Sequence, residues 1–270
     1  MTSLDWDGER GERWRDGIDG IEATLAPTDA PLLAAADVAR ATRIADVACG
    51  GGGTTGAIFA RAPHATVHGY DISPALIASA RTRHPGPTFS VADVTTAPLP
   101  AVPYDLLISR FGTMFFEDPP RAFTRLTGWL TPSGRFALAV WGTAAQNPWV
   151  SVMREVASQF VPIPPSDPDA PGQFRYGRVE PLIALLDHAG FRSLASTTWH
   201  GALSMGGAMG PEEAARFSLA SFGSLARLFD DAPESTRRAA EDALARRFEA
   251  HVRDGRVQLD ATVHVVTGTR

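Results

Sequence analysis

Three acids and a run of glycines carry the chemistry that is legible in this chain. Asp46 sits in an apolar stretch, Ile44 to Cys49, that reads as the end of a buried strand, and Gly50-Gly51-Gly52-Gly53 follow directly. Glycines in a row reach positive φ and leave no Cβ in the way, so a ligand can lie on the backbone itself. A helix expected from Thr54 aims its free N–H groups at the same spot. Asp71 lies 21 residues beyond Gly50, at the end of a second apolar stretch. A doubly wound α/β sheet places a carboxylate there to accept both hydroxyls of a ribose. Asp93 closes a third such stretch. Residues 51–56 match G-x-G-x-x-G, but four adjacent glycines satisfy many patterns, so the register Asp46-x-Ala48-x-Gly50-x-Gly52 says more. This is the chemistry of holding a nucleoside. The glycines and Asp71 alone would serve a dinucleotide equally well.

The elements that must position these residues follow from periodicity and turn chemistry. Strands are expected at Ile44–Cys49, Thr66–Ile72, Thr88–Val94, Tyr104–Ser109, Arg135–Trp141, Phe191–His200 and Val257–Val266. Between them, helices are expected from Thr54 to Arg61 and from Pro74, capped by Ser73, to Arg83. Further helices run from Asp118 to about Leu130, from Asn147 to about Phe160, and from Arg178 to Ala189 before Gly190. The last two span Pro211–Phe229 and Glu234–Val252, and a loop rich in proline and aspartate fills Val161–Gly172. Before the first strand, Ile18, Ile21, Leu25, Leu32, Leu33 and Val38 recur at helical spacing, which predicts two or three short helices. The leader Trp6-Asp7-Gly8-Glu9-Arg10-Gly11-Glu12-Arg13-Trp14 carries two tryptophans and two glycines. It reads either as a lid or as an anchor on the core.

Two blocks carry a family resemblance. Asp46-x-Ala48-x-Gly50-x-Gly52 resembles motif I, D/E-x-G-x-G-x-G, of the class I S-adenosylmethionine (SAM) methyltransferases, with Ala48 a small-for-small replacement of the first glycine. Residues 104–119, Y-D-L-L-I-S-R-F-G-T-M-F-F-E-D-P, and then L-T-P-S-G-R-F from Leu130, resemble the small-molecule methyltransferases grouped around ubiquinone and menaquinone biosynthesis. The likeness is strong over about residues 40–145 and loose in the leader and tail. It implies SAM as cofactor, with S-adenosylhomocysteine (SAH) as product. It also implies Asp93 on the adenine amino group with Val94 beside the ring, and Ile72 next to Asp71 at the cofactor. Ser109, Arg110 and Phe111 would border the methionine part. Phe111 either faces the sulfonium, where a ring face favours a cation, or simply packs. Trp14 belongs to a leader that folds over the cofactor in such enzymes, and the last strand is antiparallel.

Composition narrows the classes. Among 270 residues the 25 basic ones are all Arg, against 30 Asp and Glu, and the net charge of −5 offers no field for nucleic acid. The single cysteine, Cys49, rules out an internal disulfide and a Cys-ligated cluster. The N-terminus has no signal-peptide pattern and no stretch reaches 18 apolar residues, so a cytoplasmic protein is expected. Metal-ligand spacings are absent and no metal is expected. Only His200, at the expected end of the sixth strand, stands where a general base would act, and it reads equally as a polar strand exit. Arg110, Arg175 and Tyr176 are further polar candidates for the pocket.

The reading is therefore a Rossmann-like, doubly wound, seven-stranded α/β domain spanning residues 1–270. It has a helical lid (1–40), a SAM-binding core (41–142) and insertions (143–177 and 201–256) that roof an acceptor pocket. The expected function is methyl transfer to a small aromatic or apolar molecule. Nucleic acid and membrane are not expected as partners, and a homodimer is left open. An NAD-dependent oxidoreductase would explain the glycines and Asp71 but leaves Asp46 and Asp93 without roles. A SAM-binding protein with a non-methylating role is the third reading.

Overall fold

The computed structural model describes residues 6–165, 167 and 170–270. The parts of the expected lid and proline-rich loop at 1–5, 166, 168 and 169 lie outside the described residues. Three short helices come first: α1 (Glu9–Asp16), α2 (Ile18–Leu25) and α3 (Asp29–Ala36). Strand and helix then alternate through β1 (Arg43–Val47), α4 (Gly53–Arg61), β2 (Thr66–Asp71), α5 (Pro74–Arg83), β3 (Thr88–Val91), β4 (Tyr104–Arg110), α6 (Pro119–Thr127) and β5 (Leu130–Trp141). The second half adds α7 (Pro148–Ala157), α8 (Glu180–His188), β6 (Arg192–Ser204), α9 (Pro211–Ser221), α10 (Gly223–Ala226) and α11 (Glu234–Glu249). A two-residue β7 (Val252–Arg253) and the long β8 (Arg256–Thr269) close the chain.

The sheet runs β3-β2-β1-β4-β5-β8-β6, with β7 paired to β8 alone. The neighbours from β3 to β5 are parallel, and β8 is antiparallel to both β5 and β6. Central strands covered by helices on both faces must be apolar throughout, and four of the five residues of β1 are buried. At its start, Thr42 and Arg43 donate backbone N–H bonds to the Asp105 carboxylate, which ties β1 to β4. From β1 the chain leaves for β2 on one side, and β4 lies on the other. That reversal leaves a crevice at the strand ends.

Several boundaries differ from the sequence expectation, for physical reasons. β3 stops at Val91, so Asp93 sits two residues past the strand. α6 stops at Thr127 because Leu130 is already paired with Tyr104 in the sheet. The helix expected over Pro211–Phe229 breaks at Phe222, whose backbone is extended (φ −81°, ψ 91°). The sixth strand continues to Ser204, each residue from Ala195 onward paired with β8. His200 is thus in mid-strand and not at the strand's end.

Candidate active site

The ends of β1, β2 and β4 open onto a cavity of about 560 Å³, a size usual for small-ligand sites. Its floor is the glycine turn. Gly50 has φ +55°, and a Cβ there would meet nothing within 4 Å, so the backbone lies open to the cavity. The Gly50 N–H donates to Asp71 Oδ2 (2.8 Å) and the Ser73 N–H to Asp71 Oδ1 (2.9 Å). The acid of β2 is therefore fixed to the turn of β1, and burial raises its pKa. Asp46 is fully buried and receives one side-chain bond, from Thr55 Oγ1 at 2.6 Å. Desolvation pushes its pKa up to about 7, against the opposing pull of the Thr55 hydroxyl and the Arg110 charge.

A charge cluster covers the head of α4. Arg110, at the end of β4, donates to Glu22 Oε2 (2.5 Å) on α2 and to Asp29 Oδ2 (3.1 Å) on α3. Thr54 Oγ1 donates to Asp29 Oδ1 at 2.9 Å. A Cβ at Gly53 would collide with the Glu22 carboxylate, so the fourth glycine is a close approach that admits this acid. Glu22, Asp29 and Asp46 face one guanidinium, and the cluster keeps a negative balance beside the cavity. Glu22 lines the cavity too, and sequence reasoning missed it. Its partner Arg110 is 88 residues away, and no local pattern announces such a pair.

Backbone strain marks the crevice. Ala48 (φ 56°) and Phe111 (φ 63°) are left-handed non-glycine residues just past the ends of β1 and β4, and both line the cavity. Such conformations cost on the order of 1–3 kcal/mol and persist only where the surroundings enforce them. Phe111 donates its N–H to Ala139 O (2.9 Å) and stacks flat on Trp141, with centroids 4.0 Å apart and 2° between planes. Ala48 is accordingly more than a small-for-small replacement of the motif's glycine. It holds a conformation glycine would adopt freely, and its methyl leaves no room for a Cβ at Gly112.

Of the residues expected at the cofactor, Asp46, Ala48, Gly50, Asp71, Ile72, Asp93, Val94, Arg110, Phe111 and Trp14 line this cavity. Asp93 also caps its own turn, taking the Thr95 N–H (2.8 Å) and the Thr95 hydroxyl (2.6 Å) on Oδ1. Gly52 and Ser109 do not line it. Gly52 (φ +84°) makes the turn and packs against His84, Phe89 and Ala80, where a Cβ would have 3.0–3.1 Å. Ser109 is wholly buried in the core. His200, expected as a base, is exposed on β6, shares a 3.0 Å hydrogen bond with Thr262 Oγ1 and is not part of the cavity wall. Arg175 donates to the Phe116 carbonyl (2.5 Å) and Tyr176 is buried, and neither lines the cavity.

The far wall is aromatic. Trp149 on α7 packs on Trp141 (5.1 Å) and on Phe222 (5.4 Å), past the end of α9. Trp6 of the leader meets Trp14 (5.5 Å) and Phe115 (5.4 Å), the latter in the turn after β4. Among the described residues no cluster of His, Cys, Asp and Glu could hold a metal ion, and no helix is long and apolar enough to cross a membrane.

Residues 45–138 match the family described as "Methyltransferase domain". Over these residues the chain resembles the class I SAM-dependent methyltransferases. The cofactor of that family is SAM, and the open Gly50 backbone with the Asp71 carboxylate beside it suits a nucleoside. A relative, "Trans-aconitate 2-methyltransferase" of Methylobacterium nodulans, is 33% identical over 155 residues, 57% of each chain. The chain thus spans little more than half the length of the curated relatives it matches. Among solved structures, the YcgJ protein from Bacillus subtilis has a TM-score of 0.57 at 14% identity, covering 91% of this chain and 98% of that one. A Haemonchus contortus phosphoethanolamine N-methyltransferase 2, solved with SAH, gives 0.54 at 16% identity, covering 90% and 52%. Likeness at these identities extends to the fold.

Proposed function

We propose that this chain transfers a methyl group from SAM to a small molecule with a flat, apolar body. The observation that carries the reading is the single cavity that joins two unlike walls: the acid-lined strand ends of β1 and β2, and the rings of Phe111, Trp141 and Trp149. SAM supplies a methyl carbon on a sulfonium, which passes by in-line displacement to an acceptor lone pair as the sulfur–carbon bond breaks. The residues of the chain bind, orient and exclude water. Asp71 would hold the ribose, and the Gly50 backbone would lie against the cofactor's amino-acid end. Asp46 and Glu22 provide negative charge for that end's ammonium, with Arg110 offering its guanidinium to the carboxylate.

The same cluster opposes a dinucleotide. A pyrophosphate needs the free N–H groups and positive end of a helix N-terminus, and on α4 that end faces the Glu22 carboxylate. The leader, through Trp6, Trp14 and Phe115, would act as the lid of the cavity, with α7 and the α9–α10 segment as its roof. His200 has no role in this scheme. Incubation with methyl-labelled SAM and a small-molecule extract tests the reading. Label should move into low-mass, acid- or solvent-extractable products, whereas label found only in protein or nucleic acid fractions would contradict it.

A further inference from the structure

Arg10 is a cation with no counter-ion among the described residues. Its guanidinium lies over the Trp6 ring, 4.2 Å from the centroid, and 5.0 Å from that of Phe115. It lines the cavity, and no carboxylate among the described residues comes within ion-pair distance of it. Its Nε is buried with no hydrogen-bond partner. Burial and the nearby Arg227 charge push its pKa down to about 10, so its surroundings disfavour the charge it carries.

A second orphaned donor lines the same cavity: the buried Nε2 of Gln173 also lacks a partner. Both residues sit against the turn after β4. Arg10 stacks on Phe115, and Gly172, the neighbour of Gln173, donates its N–H to the Met114 carbonyl (3.1 Å). The acids on this side offer no relief. Asp7, Glu117 and Asp118 are exposed, and Asp118 accepts the Arg121 N–H at the head of α6. Buried donors without acceptors are costly and rare, and two of them on residues that line one cavity match a ligand group that only accepts.

We infer that the methyl acceptor carries an anionic oxygen group, a carboxylate or a phosphate, which Arg10 receives with help from Gln173. The substrate is then a small flat acid, with its apolar body against the Phe111–Trp141 stack and its charged end beneath the leader. This rests on the methyltransferase reading above and specifies its acceptor. It also gives the leader a reason to be ordered by substrate, since α1 carries the residue that closes on the anion.

The test uses the full-length chain saturated with SAH, titrated calorimetrically with benzoate, phenyl phosphate and benzamide, and with trans-aconitate as a non-aromatic acid. At least one aromatic anion should bind tenfold or more tightly than benzamide, and the tighter anion identifies the group. Arg10→Gln should bring anion and amide to within about twofold, while Arg10→Lys keeps part of the preference and both variants bind SAH like the parent, which certifies their fold. Equal binding of anion and amide by the parent would overturn the inference, as would an anion preference that survives in Arg10→Gln; trans-aconitate alone being bound would uphold the anion and overturn the apolar body. Failure of the parent to bind SAH would instead strike the methyltransferase reading itself.

Discussion

The two walls of the cavity are built in different ways. The wall proposed for the cofactor comes from consecutive strand ends, its residues clustered in sequence and held by short backbone hydrogen bonds: Gly50 and Ser73 both grip Asp71. The wall proposed for the acceptor is collected from the leader, the turn after β4, α7 and the segment past α9, and it is held by ring contacts between 4.0 and 5.5 Å. The first is polar and carries buried charge. The second is apolar and carries donors without partners. A cofactor common to a family needs one fixed geometry, and hydrogen bonds at strand ends supply it. An acceptor that varies needs shape, and packed rings on segments outside the sheet supply that.

The largest effect expected from breaking this contrast is on the cofactor wall. Arg110→Gln leaves Glu22 and Asp29 buried without their counter-charge, and removing one partner of a buried ion pair costs roughly 3–5 kcal/mol. Urea unfolding should show that loss, with weakened SAH binding beside it. A shift below about 1 kcal/mol would mean that the cluster is solvated in solution.

On the acceptor wall a smaller effect is expected. Phe115 clasps Trp6 of the leader, and an aromatic pair contributes about 0.5–1.5 kcal/mol beyond its area. Phe115→Ala should therefore speed tryptic cleavage within the Arg-rich leader about tenfold, while SAH slows cleavage in the parent. Cleavage at the parent's rate would show that the leader is held by something other than this clasp.

The two walls also differ in how far the sequence exposed them. Motif spacing made Asp46, Gly50, Asp71 and Asp93 legible, because a strand, a turn and a helix place them through local rules. The parallel part of the sheet was legible for the same reason, while the antiparallel last strand came from the family resemblance. Glu22, Arg10 and Gln173 were not, since each acts through contacts with residues far away in the chain. Ala48 was seen, but its left-handed backbone was not. His200 misled because the end of a strand is set by its partner: pairing with β8 carries β6 four residues beyond it, to Ser204.

Asp46 gives the smallest effect, a dependence on pH. Burial lifts its pKa from 3.8 to about 7, so between about pH 4 and 7 the folded chain holds a proton that the unfolded chain has released. Stability should fall as pH rises through that window and level off above it. A ligand bringing an ammonium favours the ionised acid, so SAH affinity should rise from pH 6 to pH 8, by up to about tenfold. Asp46→Asn should flatten both trends. A slope that persists in Asp46→Asn would assign the titration to another group.

In the proposed function the strand ends of β1 and β2 hold SAM, with Asp71 as the ribose acceptor. Calorimetric titration of the parent and of Asp71→Asn with SAH and with NAD tests it most directly. Hydrogen bonds to a charged group contribute about 1.5–3 kcal/mol each, so the parent should bind SAH and give no heat with NAD, and Asp71→Asn should bind SAH well over tenfold more weakly. NAD binding without SAH binding, or an unchanged SAH affinity in Asp71→Asn, would contradict it.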